Sequence, residues 1–408
     1  MLNARGALAG LRVIDMTHAL AGPFCTQVLA DHGADVMKIE PLEGDFFRNI
    51  GPWRDDDKAR HFGGLFQACN RNKRSLAVNL KDPQGAALVR ELVRGADALV
   101  ENYRAGAMEK LGLGYDSLKV ENPRLVYTSI RGFGDVAGGR SPYMSWPSFD
   151  IVAQAMGGWM GVTGTDADHP VKVGGGPGDT VTGLFAAFGT MAALWQARTT
   201  GEGQYVDTAM VDCVLALSES VVSHYAYRGV SLEPMGNAMP GIAPFDTYRC
   251  CDGIIAIAAP HDPQWTELCR LMDRTELLAD PRFASEQLRW ENRNAVRDAI
   301  EAFTEVRTKE ELRGIFGGRV PFSPIYCAAD IFADPHFAVR DMLPELEHPG
   351  SARPAAVPGV PVKLSRTPGS VRHRAPLVGE HTRDILAQMG IEPERIERLA
   401  QSGAVAVR

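Results

Sequence analysis

Long apolar runs are missing from this chain. The most apolar stretch, about residues 180–196, is shorter than the ~20 residues a bilayer span requires. Its Gly183, Ala186, Ala187, Gly189 and Ala192 instead fit a buried helix packed closely on its neighbours. The opening Met-Leu-Asn-Ala-Arg-Gly has no apolar core of the kind a secretory leader needs, so no membrane partner is expected. Cysteine is sparse and unpatterned: there are seven, no Cys-x-x-Cys pair, and Cys250 directly precedes Cys251. An odd, unpaired set excludes a disulfide framework and a zinc site, leaves no metal ligands to assign, and makes a reducing cytoplasm the expected location. Basic residues are not massed, and the formal charge is −7, which excludes a broad nucleic-acid surface. No Gly-x-Gly-x-x-Gly follows the first predicted strand and no Gly-x-x-x-x-Gly-Lys occurs, so neither a nicotinamide fingerprint nor a nucleotide-hydrolysing loop is present. Internal repeats and low-complexity tracts are also lacking.

What is there is a globular chain of 408 residues, 45% apolar, long enough for two domains. Its first 135 residues alternate short β-branched runs with helical stretches, the pattern of a parallel sheet covered by helices. Strands are predicted over 11–15, 36–40, 75–80, 98–101 and 125–130, with a first helix beginning at Pro23 and ending at Gly33. The fold class expected is therefore α/β, with a Rossmann-like large domain. In such sheets ligands bind beyond the carboxyl ends of the strands, which singles out the loops 16–22, 102–106 and 131–134. After about residue 225 the composition changes. Pro234, Pro240 and Pro244 punctuate a loop, a strand is predicted over 254–258 and a helix over 263–272. The division expected is 1–225 for the first part of the large domain, 226–335 for a smaller α/β domain, and 336–408 for a proline-rich return ending in a helix near 382–389.

One carboxylate stands out, Asp179, between a loop with four glycines in five positions (Gly174, Gly175, Gly176, Gly178) and the start of an apolar helix. Two readings are open. Asp before an apolar run is an ordinary helix N-cap, although Thr182 stands where a capping box has Glu or Gln. The glycines, however, let a ligand approach without Cβ obstruction, and a helix amino end directs free N–H groups to the same point. On that reading Asp179 is a nucleophile in an anion-stabilising setting.

Several segments, taken in order, resemble the class III CoA-transferases, the family of formyl-CoA and carnitine CoA-transferases. They are Arg12-Val-Ile-Asp-Met-Thr-His18, Ala21-Gly-Pro-Phe-Cys-Thr-Gln27, Gly33-Ala-Asp-Val-Met-Lys-Ile-Glu40, Asn72-Lys-Arg-Ser75, Val100-Glu-Asn-Tyr103, Asp150-Ile-Val-Ala-Gln154, Gly178-Asp179 and Thr200-Gly-Glu-Gly-Gln204. The resemblance implies a Rossmann-like large domain built from both ends of the chain, a small inserted domain, and two subunits interlocked as linked rings, hence a homodimer. It implies that Asp179 is the catalytic nucleophile. It places CoA contacts on Ala21, Val78, Lys81, Asn102, Tyr103, Lys110 and Arg131, with Arg74 and Arg104 added on their loop positions and Lys73 as a further cation.

No permanently bound cofactor is implied: an acyl-CoA thioester and a small carboxylic acid are the substrates. Asp179 attacks the thioester to give a mixed anhydride and CoA thiolate, and the thiolate re-attacks to give an aspartyl-CoA thioester that the acceptor acid resolves. Gly174, Gly175, Gly176 or Gly178 would supply N–H groups for the oxyanion.

Departures from the family pattern bear on substrate. Leu20 stands where the formyl-transferring members have glutamine, and Pro41 where they have arginine, so oxalate and formate are not expected. Phe149 replaces both their tyrosine and the histidine of the related α-methylacyl-CoA racemases. Without a titratable group there, racemisation is disfavoured, with His18 and His169 the remaining bases to consider. The segment Gly236-Asn237-Ala-Met-Pro240 with Ala243-Pro-Phe-Asp246 resembles the loop that reaches towards the site in carnitine and dicarboxylate transferases. A small dicarboxylic acid with succinyl-CoA as donor is therefore expected. The alternatives are an acyl-CoA racemase or epimerase, and a non-catalytic CoA-binding subunit of a heteromer.

Overall fold

In the computed structural model, which describes residues 6–407, the chain forms two compact units. Residues 6–160, 172–229 and 335–407 make the first, and Gly161–Val171 with Val230–Asp334 make the second. The segment Gly161–Val171 joins the second unit although it lies within the stretch assigned to the large domain from the sequence. The opening stretch read for a leader falls largely on residues 1–5, outside the described residues.

The first unit is built on β1 (Arg12–Met16), β2 (Asp35–Glu40), β3 (Arg74–Val78), β4 (Ala98–Glu101), β5 (Val126–Arg131) and β6 (Tyr205–Ala209), all parallel. Their spatial order is β3-β2-β1-β4-β5-β6, the order of the doubly wound dinucleotide-binding sheet, and a terminal strand Val405–Ala406 adds antiparallel to the β3 edge. Neither β6 nor the terminal strand is among the predicted strands. The strands are apolar on both faces because helices cover both. Val13, Val36, Val100 and Ile130 face a core shared with the helices Ala21–Asp31 and Pro177–Thr200. Their alternates Ile14, Ile39, Leu76, Leu99 and Tyr127 face a second core closed partly by Ile385, Leu386, Ile396 and Leu399 from the chain's last two helices, Thr382–Gln388 and Pro393–Gln401. One helix was expected there. The proline-rich return thus docks on the sheet that the amino-terminal residues begin.

The first helix starts at Ala21, not Pro23, which sits inside its first turn where a missing N–H costs nothing. The second unit has an antiparallel sheet of Phe245–Cys250, Gly253–Ala258 and Phe322–Pro324. Helices Asp262–Leu271, Arg293–Thr304 and Lys309–Phe316 close a core around Ile255, Trp265, Ile300 and Phe316. No helix among the described residues is long and apolar enough to cross a membrane.

Candidate active site

The strand order reverses between β1 and β4, and ligands of such sheets collect beyond the strand ends at that point. A cavity of about 410 Å³ opens there, walled by the loops that follow β1, β4 and β5. It brings together Asp179, His18, Leu20, Ala21, Asn102, Tyr103, Arg104, Arg131 and Phe149, predicted from the sequence, and adds Phe46, Met144, Trp146 and Met210, which were not.

Asp179 is delivered by the helix Pro177–Thr200. The N-cap is Gly176, so Asp179 is the third helical residue and not the cap. One turn on, at the same face, is Gly183, where a Cβ would stand 2.5 Å from the Ala21 carbonyl oxygen and 3.1 Å from the Cys25 nitrogen. Only glycine permits so close a crossing with the helix Ala21–Asp31, and the crossing sets Asp179 over that helix's amino end. Gly176 completes the junction: a Cβ there would lie 2.9 Å from the Leu20 side chain and 3.7 Å from an Asp179 carboxylate oxygen.

Among the described residues nothing donates a hydrogen bond to the Asp179 carboxylate and no cation pairs with it. Burial first, and then the neighbouring Asp150 carboxylate, push its pKa up to about 7. Asp150 itself is well satisfied, accepting from the Gly178 N–H at 2.7 Å and from the Gln154 side-chain amide at 2.7 Å. Gln154 in turn accepts the Val173 N–H at 2.8 Å, tying the glycine loop to the helix Asp150–Met156. The Gly178 N–H is therefore engaged and does not serve as an oxyanion donor, and Gly175 does not line the cavity. Asp150 and Gln154 lie in a family-like segment, but nothing local in it signals contact with a loop more than twenty residues away.

The wall opposite is fixed by side chains that bond backbone. Asn102 accepts the His18 N–H at 2.9 Å and donates to the His18 carbonyl at 2.8 Å. The His18 ring meets Tyr103 edge-on at 5.2 Å, and burial lowers its pKa, favouring neutral imidazole. Beneath, Lys38 donates to the Thr17 carbonyl at 2.8 Å and Lys73 to the Pro23 carbonyl at 3.0 Å.

Several predicted cations are placed differently from expectation. Arg131 lines the cavity but is buried, and every guanidinium nitrogen is used: it donates to Glu101, Asp135 and the Tyr103 carbonyl. Burial works against its charge, yet Glu101 and Asp135 outweigh that and hold its pKa above the usual value. Three of its five N–H donors are thereby committed to the protein. Arg74 begins β3 and so lies at the amino edge of the sheet, paired with Asp35 at 2.6 Å. Lys73 is buried against Asp15 at 2.8 Å. Lys81 and Lys110 are exposed and lie outside the cavity, and Val78 is buried beside the terminal strand. Arg104 remains: it lines the cavity, is exposed, and has no ion-pair partner among the described residues. Asn237 belongs to the second unit, where it donates to the Thr247 hydroxyl at 3.0 Å, and His169, also there, is exposed and paired with Asp166.

The model of CoA-transferase family III matches residues 8–382. Succinyl-CoA:mesaconate CoA-transferase of Haloarcula marismortui is 43% identical over 387 residues, covering 95% of this chain and 97% of that protein. Succinate–glutarate CoA-transferase of Agrobacterium fabrum is 36% identical over 406 residues, covering 98% and 99%. The crystal structure of a CAIB/BAIF family protein from Brucella suis superposes with a TM-score of 0.85 at 36% identity, over 94% of this chain and all of that one. The chain belongs to CoA-transferase family III and is an enzyme that moves CoA between carboxylic acids.

Proposed function

We propose that the enzyme carries CoA from succinyl-CoA to a second small dicarboxylic acid through covalent intermediates on Asp179. The observation that carries this reading is the Asp179 carboxylate itself: lining the cavity, free of donors, and with a pKa of about 7 set by burial and Asp150. A carboxylate near its pKa at neutral pH is both substantially ionised and more basic than an ordinary aspartate, which favours attack on a carbonyl. An oxygen of Asp179 bonds to the thioester carbonyl carbon, and the C–S bond breaks, releasing CoA thiolate. The thiolate attacks the aspartyl carbonyl and expels the donor acid, leaving aspartyl-CoA. The acceptor carboxylate attacks that thioester, and the thiolate then takes the acceptor carbonyl and frees Asp179.

Support for the oxyanion comes from the helix Ala21–Asp31, whose first-turn N–H groups at Ala21 and Gly22 have no intrahelical partner. Arg104, which lines the cavity without an ion-pair partner among the described residues, is a cation suited to the anionic coenzyme. Succinyl-CoA as donor is supported by the names of the relatives, which pair succinyl groups with mesaconate and glutarate. The cavity's aromatic wall of Trp146 and Phe149 suits the carbon chain of such acids. A homodimer in the cytoplasm belongs to the same reading. The association is supported by Leu184, Phe188 and Trp195 on the Asp179 helix, which are 54%, 72% and 74% exposed and apolar.

Incubation with succinyl-CoA and a panel of carboxylic acids, with the new thioesters identified by mass, tests the transfer. Trapping with hydroxylamine, or borohydride reduction during turnover, should modify Asp179 and no other carboxylate. Turnover with an unmodified Asp179 would sink the covalent mechanism.

A further inference from the structure

Glu101 ends β4 as a fully buried carboxylate that does not line the cavity. A carboxylate in that position is costly unless its oxygens are used, and both are. One accepts the Tyr103 N–H at 2.7 Å and the other accepts from Arg131 at 3.0 Å. Arg131 also donates to the Tyr103 carbonyl, so the two polar backbone atoms of Tyr103 are held by the two members of one ion pair. Arg131 is itself braced from the far side by Asp135 at 2.7 Å, and Asp135 by the Tyr205 hydroxyl at 2.8 Å. The ring of Tyr103 then meets His18, whose backbone Asn102 fixes. Glu101 at the end of β4 and the two residues after it, Asn102 and Tyr103, thus set one wall of the cavity that Asp179 also lines.

We propose that Glu101 is a positioning residue for coenzyme binding, acting with Arg131 as a clamp on the Tyr103 peptide. It touches no substrate; it orders the tyrosine that does. The chemistry explains why a neutral residue is not equivalent. A glutamine offers one acceptor where two donors converge, so either Arg131 or the Tyr103 N–H faces an amide NH₂. Burial raises the Glu101 pKa, and Arg131 and the Tyr103 N–H pull against it in favour of the two-acceptor carboxylate.

The inference rests on the reading that the cavity holds the acyl-CoA, and its test separates the two. Initial rates of the full-length enzyme are measured against succinyl-CoA at saturating acceptor acid. Glu101→Gln should raise KM for succinyl-CoA roughly tenfold while kcat changes by less than about threefold, the signature of lost binding that is common to ground and transition states. Asp135→Asn, at a more accessible site, should raise KM in the same direction by about threefold, and decides the matter if Glu101→Gln fails to fold. In a Tyr103→Ala background Glu101→Gln should change KM by less than about twofold, because contacting groups are not additive. Unchanged KM in both single variants, or an undiminished effect without the Tyr103 ring, overturns the clamp. Arg104→Ala is the control: a raised KM there with none in Glu101→Gln sinks only the clamp, whereas no change in either removes the coenzyme from this cavity.

Discussion

A buried aspartate and a half-buried one flank the helix Ala21–Asp31, and they could hardly be treated more differently. Asp15, in β1, accepts from the Thr17 N–H at 2.9 Å, the Thr17 hydroxyl at 2.5 Å, the Thr26 hydroxyl at 2.8 Å and the Lys73 ammonium at 2.8 Å. Burial alone would raise its pKa, but Lys73 and then Lys38 outweigh it and bring it down to about 2. Asp179, on the facing helix, has no donor and a second carboxylate for a neighbour, and its pKa goes up to about 7. The same side chain is thus a structural anchor where its lone pairs are saturated and, on the proposed mechanism, the nucleophile where they are left open. What distinguishes them is the set of donors each helix and strand end supplies.

The comparison can be broken by exchanging what each residue is asked to do. The largest effect should come from Asp179→Asn, which removes the proposed nucleophile while keeping shape. Turnover in the CoA-exchange assay should fall on the order of a thousandfold or more. The fold should survive, and at pH 8 gain stability. The sign follows from a raised pKa: the folded state disfavours the ionised form, so wild-type stability is lost as pH rises through about 7. Asp179→Asn should therefore raise the melting temperature more at pH 8 than at pH 5. An equal gain at both would show that Asp179 is not strained by its charge.

Next in size is Lys73→Met, which leaves the Asp15 carboxylate buried without its main partner. A loss of about 3–5 kcal/mol is expected, read from the urea midpoint at pH 7. A loss below about 1 kcal/mol would mean that the threonine hydroxyls suffice. The smallest effect sharpens the contrast on the reactive side. The rate of acyl exchange at low succinyl-CoA should rise with pH around a midpoint near 7. Asp150→Asn should move that midpoint down by up to about one unit, because the neighbouring negative charge is gone while an acceptor for the Gly178 N–H remains. A midpoint that stays put would assign the shift to burial alone.

Much of the first unit was legible from the pattern of apolar runs. The predicted strands at 11–15, 36–40, 98–101 and 125–130 correspond to β1, β2, β4 and β5 within a residue. Alternating β and α segments leave few ways to bury both faces. What escaped was short or distant. The terminal strand Val405–Ala406 has two residues, too few for any period, and exists because β3 offers an open edge. The start of the Asp179 helix was placed three residues late because the glycines around Pro177 read as loop, whereas Pro in the first turn suits a helix start.

The cations show the same limit in the site. Arg131 and Arg104 look alike as arginines in loops after strands. One is paired with Glu101, thirty residues back, and with Asp135, while the other has no ion-pair partner among the described residues. Arg74 reads as a loop residue before a strand, but it begins β3, at the amino edge of the sheet, where Asp35 pairs with it.

The sequence by itself determined the α/β class, the glycine-flanked carboxylate and the ordered segments that mark the family, because periodicity, glycine tolerance and motif order are local properties of the chain. The tertiary structure alone decided which carboxylate is met by donors and which is left open, and which arginine is held in ion pairs and which is not. Those outcomes depend on hydrogen-bond partners brought from tens of residues away, and a side chain's charge and reactivity follow from the donors that meet it.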